Sequence, residues 1–260
     1  MKIGWKILSL ATVVVVCLFR AEADTPKATV EELRAKAEKG DAAAQFELSQ
    51  RFATGDGVTP DWSTALKWVR KSADQGYAKA QFHLGWLYDK GEAVPQDKAE
   101  AAKWYKKAAS QGLDEAQNNL GVMYAHGEGV PRNDAEAVKW LRKAADQGLA
   151  RAQNNLGLAY AQGKGIAKSE VEAAKWYRKA ADQGHVRAQC NLGLLYASGK
   201  GVGKDAVEAY KWFLLAGAEG DAEAKNTLPS LEKALTPAQQ AEGQKRAREW
   251  KLHTAVPSGK

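Results

Sequence analysis

The residues best suited to chemistry in this 260-residue chain form a row of amides rather than a catalytic cluster. Asn118, Asn119, Asn154, Asn155 and Asn191 recur in one context, Ala-Gln-Asn-Asn-Leu-Gly or its variant with Cys190 in the first asparagine place. An asparagine carries two N–H donors and a carbonyl acceptor, so a row of them can hold an extended peptide backbone whatever its side chains. The same row can bridge adjacent helices or face water, and the sequence leaves the three uses open. Toward the N-terminus the row turns aromatic, at Phe46, Phe82 and Trp86. Such rings either anchor a partner or pack beneath a terminal cap. Arg151 and Arg187 stand where an earlier unit has Glu115; they can fork onto a peptide carboxylate or stay solvated.

Other chemistries fail on spacing. The histidines His83, His126, His185 and His253 share no interval that would bring two onto one metal. Residues 157–164 resemble a phosphate-binding loop, yet the stretch is one residue too long and Gly165 occupies the place of the magnesium-binding Ser or Thr. Ser230-Leu231-Glu232-Lys233 matches the Ser-x-x-Lys nucleophile pair, without its companion Ser-Asp-Asn and Lys-Thr-Gly elements. No catalytic residue, metal ligand or cofactor is expected.

What positions these residues is a repeat. Ala-Gln followed by Leu-Gly recurs at Ala80, Ala116, Ala152 and Ala188, a step of 36 residues. Tryptophan keeps that step at Trp68, Trp104, Trp140, Trp176 and Trp212, and glycine keeps it from Gly40 to Gly220. A fixed period of this size marks a stacked array. Within a unit, Ala116, Leu120 and Tyr124 share one helical face, and Gly121 beside Leu120 reads as a site of close helix approach, because glycine otherwise weakens a helix by about 1 kcal/mol. A loop with two glycines follows, as in Gly127-Glu128-Gly129. Asp61, Asp97, Asn133, Ser169 and Asp205 then read as N-caps of a second helix. Glu100, Glu136, Glu172 and Glu208 stand three residues on and predict capping boxes. The repeat tryptophans fall at an inward position of that helix, and Gly148 and its equivalents end it.

This spacing predicts five units, 41–76, 77–112, 113–148, 149–184 and 185–220. Residues 24–40 read as an N-terminal capping helix. Residues 221–260 read as a partial repeat stopped by Pro229, a C-terminal capping helix opened by Thr236-Pro237, and a tail. Terminal units of such arrays are atypical because they must cover the last apolar face.

The pattern Ala-Gln-x-x-Leu-Gly-x-x-Tyr, then Gly-x-Gly-Val-Pro, then Ala-x-x-Trp-x-x-Lys-Ala-Ala-x-x-Gly resembles the Sel1-like repeat family, over nearly all of residues 41–228. Departures are Ser49 for the packing glycine, Ala93 for a loop glycine, and Ala167 and Gly203 for the loop proline. The resemblance implies an all-α, right-handed α-α solenoid related to the tetratricopeptide repeats, with the first helices lining a concave groove. It also implies an adaptor role. Some cysteine-rich relatives have been linked to β-lactam binding, but that likeness rests on paired cysteines in each repeat, which this chain lacks.

The N-terminus reads differently. Lys2 and Lys6 precede an apolar stretch over 7–19, and Ala21-Glu22-Ala23 offers small residues for cleavage, so residues 1–23 read as a secretory signal peptide. An uncleaved anchor is the alternative, since Arg20 separates the apolar run from the cut. Cleavage lowers the formal charge from +7 to about +5 and removes Cys17. Cys190 is then left without an internal partner, as an intermolecular disulfide or as a neutral replacement of asparagine. The basic residues are spread among acidic ones, with Lys67, Lys103, Lys139, Lys175 and Lys211 each before a repeat tryptophan. Such a pattern reads as a solvated helix face rather than a nucleic-acid track. The expectation is a periplasmic or secreted adaptor or regulator, holding a protein or extended peptide in its groove without stable membrane insertion. The rival is a cell-wall glycan or β-lactam interacting protein with hydrolytic activity.

Overall fold

The computed structural model describes residues 29–255, and the predicted signal peptide lies outside them. Thirteen helices and no strands occur among the described residues. Helix α1 (Val30–Glu38) is the N-terminal cap. Five helical hairpins follow: α2 (Ala42–Thr54) with α3 (Trp62–Asp74), α4 (Ala78–Lys90) with α5 (Lys98–Ser110), α6 (Asp114–His126) with α7 (Asp134–Asp146), α8 (Ala150–Gln162) with α9 (Glu170–Asp182), and α10 (Val186–Ser198) with α11 (Ala206–Ala218). Helices α12 (Ala222–Ala234) and α13 (Pro237–Ala255) close the array, α13 packing against α11. The protein is an all-α repeat solenoid.

Each hairpin is shaped by its glycines. A Cβ added to Gly121 would lie 2.8 Å from Leu141 Cγ, and one on Gly85 would lie 2.8 Å from Tyr105 Cδ1. The first helix therefore touches its partner through bare backbone, as the sequence predicts. The loop then folds back, and the N–H of each second-helix N-cap donates to a carbonyl near the end of the first helix, for example Asn133 to Tyr124 at 2.9 Å. Between hairpins, Gly148 takes φ +99° and Leu149 N–H reaches the Ala144 carbonyl at 3.2 Å. That is the Schellman arrangement, which satisfies carbonyls a helix end would otherwise orphan.

The predicted capping boxes form by half. Asp97, Asn133, Ser169 and Asp205 each accept from the N–H three residues on. The glutamates at that third position do not reach back. Glu100, Glu136, Glu172 and Glu208 instead pair with Lys103, Lys139, Lys175 and Lys211 at 2.6–3.1 Å. A lysine one turn away offers a charge, whereas the N-cap N–H is already engaged with the first helix. Thr29 and Glu32 do form the reciprocal box, at the start of α1.

Pro229 also behaves differently from expectation, because α12 runs through it. The proline cannot donate to the Lys225 carbonyl, but both residues are exposed, so that carbonyl is not stranded in the core. The array ends because no second loop and helix of the repeat type follow. Leu235 turns extended, and Thr236 caps α13 with Gln239 in a reciprocal pair.

The repeat tryptophans pack between consecutive hairpins. Trp140, for instance, joins Ala101, Tyr105 and Ala108 of α5 to Leu120 and Met123 of α6. Lysines cover their outer faces: Lys107 over Trp104 at 3.7 Å, Lys143 over Trp140 at 4.3 Å and Lys179 over Trp176 at 4.0 Å from the ring centroid. Part of the regular basic spacing thus shields indole rings, a contact worth about 0.5–1 kcal/mol where exposed.

Candidate functional site

Two amide ladders fix the register of the first helices. In the inner one, Gln75, Gln111, Gln147 and Gln183, at the ends of the second helices, donate within their own hairpins to Gln45, Gln81, Gln117 and Gln153 at 2.7–2.8 Å. Each acceptor glutamine in turn donates to a backbone carbonyl at the end of the preceding second helix, as Gln117 does to Ala109 at 3.1 Å. The buried acceptor glutamines are thus saturated within the frame, and their bonds to the preceding second helix, with those of Gln111 and Gln147 to the Gly76 and Gly112 carbonyls, tie one hairpin to the next.

The second ladder is the asparagine row itself. Asn155 of α8 donates to Asn118 of α6 at 3.0 Å, and Asn191 of α10 donates to Asn154 of α8 at 3.1 Å. Asn118 and Asn154 are only 4% and 7% exposed. Of the three uses left open by the sequence, bridging between helices is the one realised for them, so their placement in a ligand-holding groove is corrected. Neighbouring first helices cover that flank, and the buried amide needs its partner there. Asn119, Asn155 and Asn191 remain partly exposed and keep one edge toward solvent. The row stops at Cys190, which has no amide to pass on.

The other predicted residues divide as well. Phe82 is buried against Tyr105, with centroids 5.6 Å apart, and belongs to the core. Trp86 is partly exposed and stacks on His83 at 6.0 Å. Arg187 is committed to the next repeat, 2.9 Å from Glu223 and 3.4 Å from Asp221, so it is corrected from a peptide-binding fork to a junction tie. Arg151 has His185 and Arg187 at the matching places, 34 and 36 residues on, and among the described residues it forms no ion pair. Its charge acts on the Glu115 carboxyl of the preceding hairpin.

An apolar stripe links these residues, and the sequence reading named only its first member as a site. Trp86, Val122, Leu158 and Leu194 are spaced by the repeat period, one on each first helix from α4 to α10, with Gln50 in that place on α2, and each of the four is half-buried or more open. Leu158, at 41%, is the most open. The signal is the same step of 36 that marks the tryptophans: the sequence puts Val122 on the face opposite Ala116, Leu120 and Tyr124, whereas Leu158 and Leu194 read in isolation as core residues. Asn119, Asn155 and Asn191 precede the last three members by three positions, so polar and apolar rows run side by side along one face.

Titration at the edges of this face is set by burial. Burial raises the Glu115 carboxyl to about 7, helped by neighbouring Asp114 and opposed by Arg151. Glu115 gives up its negative charge as pH falls through that value. His83, between the rings of Phe46 and Trp86, is desolvated and its pKa falls to about 4. A histidine kept neutral in the fold stabilises fully above its unfolded pKa of about 6.5, and that contribution is lost as pH falls toward 4. Relative to His83→Gln, the wild type is expected to lose on the order of 2 kcal/mol more between pH 7 and pH 4. Urea titrations of both proteins at the two pH values read this directly; parallel losses would refute it.

Neither reactive residue proposed from sequence is placed for its chemistry. Cys190 is 0% exposed, and burial, then the adjacent Asp221, pushes its thiol up to about 12. A buried neutral thiol cannot reach a second chain, so the intermolecular disulfide is corrected. Ser230 Oγ is exposed and donates to the Thr227 carbonyl of its own helix at 2.8 Å. Among the described residues, no cluster of three or more potential ligands is arranged to hold a metal ion, and no helix is long and apolar enough to cross a membrane.

None of the curated proteins compared with the chain matches it. Solved structures do. A protective antigen present in uropathogenic Escherichia coli strains, with an SLR fold, is 38% identical over 90% of this chain, with a TM-score of 0.78. The chain spans 54% of that protein, about half its length. A Sel1 repeat protein from Oxalobacter formigenes is 32% identical over 85% of this chain and 95% of its own, with a TM-score of 0.73. The family model for the Sel1 repeat matches residues 42–77, 78–113, 114–149, 150–185 and 186–221 in unbroken succession. The five hairpins, their packing glycines and this run of matches together place the chain in the Sel1 repeat family.

Proposed function

We propose that the protein is an exported adaptor that binds another protein, or an extended segment of one, across its first-helix face. The observation that carries this reading is the stripe Trp86, Val122, Leu158 and Leu194, with Leu158 exposed and the others partly so, on a frame whose hairpins are tied by amide ladders. A surface prearranged in this way loses little conformational entropy on binding. The partly exposed asparagines beside the stripe supply donors and acceptors for a peptide backbone, and Arg151 favours an acidic group near the third and fourth hairpins. Sel1-repeat solenoids commonly serve as protein-interaction scaffolds and are typically non-catalytic. Export rests on the N-terminal pattern of residues 1–23, and the E. coli relative's description as a protective antigen accords with it. The hydrolytic alternative has no support, since Ser230 stands on an open helix face with its hydroxyl turned to its own backbone.

The test is capture from cell-envelope extract with residues 24–260 as bait, beside a bait carrying Trp86→Ala and Leu158→Glu. A charge at Leu158 leaves the fold intact because the side chain is already open to water. The variant should keep its melting temperature and retain the captured partner at least tenfold less. Equal retention by both baits would remove the stripe from the binding surface.

A further inference from the structure

The inner glutamine ladder ends one rung early. In the preceding repeats, a glutamine at the end of the second helix donates to the buried glutamine of the first. Gln111 and Gln147 use the same amino group to reach the carbonyls of Gly76 and Gly112, at 2.8 and 3.0 Å. The corresponding set in the last hairpin is Gly184, Gln189 and position 219. Position 219 is Glu219, which as a carboxylate has no N–H to give. Gln189 is 1% exposed, its amino group is engaged with the Ala181 carbonyl at 3.3 Å, and its Oε1 is left without a partner. A buried acceptor in that condition has lost its water without gaining a donor in return.

The missing rung is also a space. A cleft of about 380 Å³ lies there, lined by Gly184, Gln189, Leu215, Glu219, Trp250 and Lys251. Its chemistry is one-sided. Gln189 Oε1 and the Glu219 carboxylate are acceptors, and the Trp250 indole stands within 4 Å of the place a Cβ on Gly184 would take, offering an aromatic wall. Lys251 sits at the rim with its ammonium 3.9 Å from Glu219, so the carboxylate already draws a cation from that side. Replacing the donor glutamine by glutamate converts an internal joint into a socket for an external donor with positive charge.

We propose that this cleft between α10, α11 and α13 binds a primary ammonium group carried by a partner polypeptide, either a lysyl side chain or a chain-terminal amine. The ammonium donates to Gln189 Oε1 and to Glu219, and its alkyl stem lies along Leu215 and Trp250. An ammonium fits better than a carboxamide because it donates in three directions and meets the carboxylate's charge. The socket is at the end of the array and does not depend on the stripe of the first helices.

The test titrates full-length, ¹⁵N-labelled protein with Nα-acetyl-lysine amide, glycinamide, Nα-acetyl-norleucine amide and Nα-acetyl-glutamine amide. Saturable shifts at the Gly184 amide, the Gln189 side-chain amide and the Trp250 indole are expected with at least one of the two amines. Which amine binds tighter separates a side chain from a chain end. Norleucine should bind at least tenfold more weakly. Glu219→Gln should complete the ladder, raise the melting temperature and abolish the shifts, whereas Leu158→Glu should leave them unchanged. Absence of saturation with both amines, glutamine binding as tightly as the better amine, or undiminished binding in Glu219→Gln would each overturn the assignment.

Discussion

Replacing Gly129 by alanine is expected to cost about 3–5 kcal/mol of stability, combining backbone strain with overpacking. Gly129 takes φ +68°, and a Cβ on it would lie 2.0 Å from the Lys98 carbonyl oxygen and 2.3 Å from its carbon. Those atoms are backbone at the start of α5, one hairpin earlier, so no side chain can rotate away. The junction itself must open. Gly165 and Gly201 stand in the same relation to Asp134 and Glu170. The control is Gly148→Ala, which also demands a positive φ, +99°, but meets nothing within 4 Å. That change should cost about 1–2 kcal/mol, the conformational part alone. Ala93 occupies the equivalent place in the second hairpin at φ 61°, so the strain by itself is tolerated and the loop there must stand farther from α3. Urea denaturation of the two variants measures the difference, and equal losses would show that the close approach carries no energy. Because each repeat contacts only its neighbours, the Gly129 variant should lose amide protection first at the junction between the second and third hairpins.

The same contrast shows what the sequence makes legible. Residues whose reason is a backbone position or an inward face repeat with the period, so Gly121, Gly148 and the tryptophans disclose the hairpin and its ends without coordinates. Choices between two partners of similar reach are not written in the period. Glu136 stands three residues from both Asn133 and Lys139, and the structure sends it to the lysine. Asn118 lies on the flank of its own helix that a lone amphipathic helix would show to water; the next hairpin covers it, and Asn155 closes the contact. Leu158 and Leu194 escaped notice for the opposite reason, because an aliphatic residue in a core-rich repeat invites no question until its exposure is seen. Pro229 misled through a rule that holds for buried helix interiors, while its place in α12 is open to solvent.

Trp212→Ala should have the next largest effect, about 3–5 kcal/mol, the range for emptying a fully buried aromatic site. Trp212 is 0% exposed, whereas Trp104, Trp140 and Trp176 keep 7–8%. The difference comes from α13, whose Trp250 meets the indole edge to face at 6.1 Å. Trp212 Nε1 also donates to Glu208 at 2.9 Å. Glu208 gathers Lys211 at 3.0 Å, Arg246 of α13 at 3.3 Å and Arg178 of α9 at 3.6 Å. Burial by itself would raise this carboxyl, but the cations and their hydrogen bonds outweigh it and hold the pKa below the ordinary value. Truncating the ring removes one donor to Glu208 and the surface over which Arg178 and Lys211 lie, keeps the charges that gather on Glu208, and takes away the apolar floor on which α13 rests. The expected consequence is a terminal helix that detaches before the array melts, exposing residues 237–255 to protease at temperatures where the hairpins stay folded. Trp62→Ala, at a ring 37% exposed on α3, should change stability by less than about 1 kcal/mol. If Trp212→Ala instead unfolds all hairpins in one transition with α13 protected up to the midpoint, the cap is an integral part of the array. Its clasp on Glu208, rather than the indole, would then be what seats it.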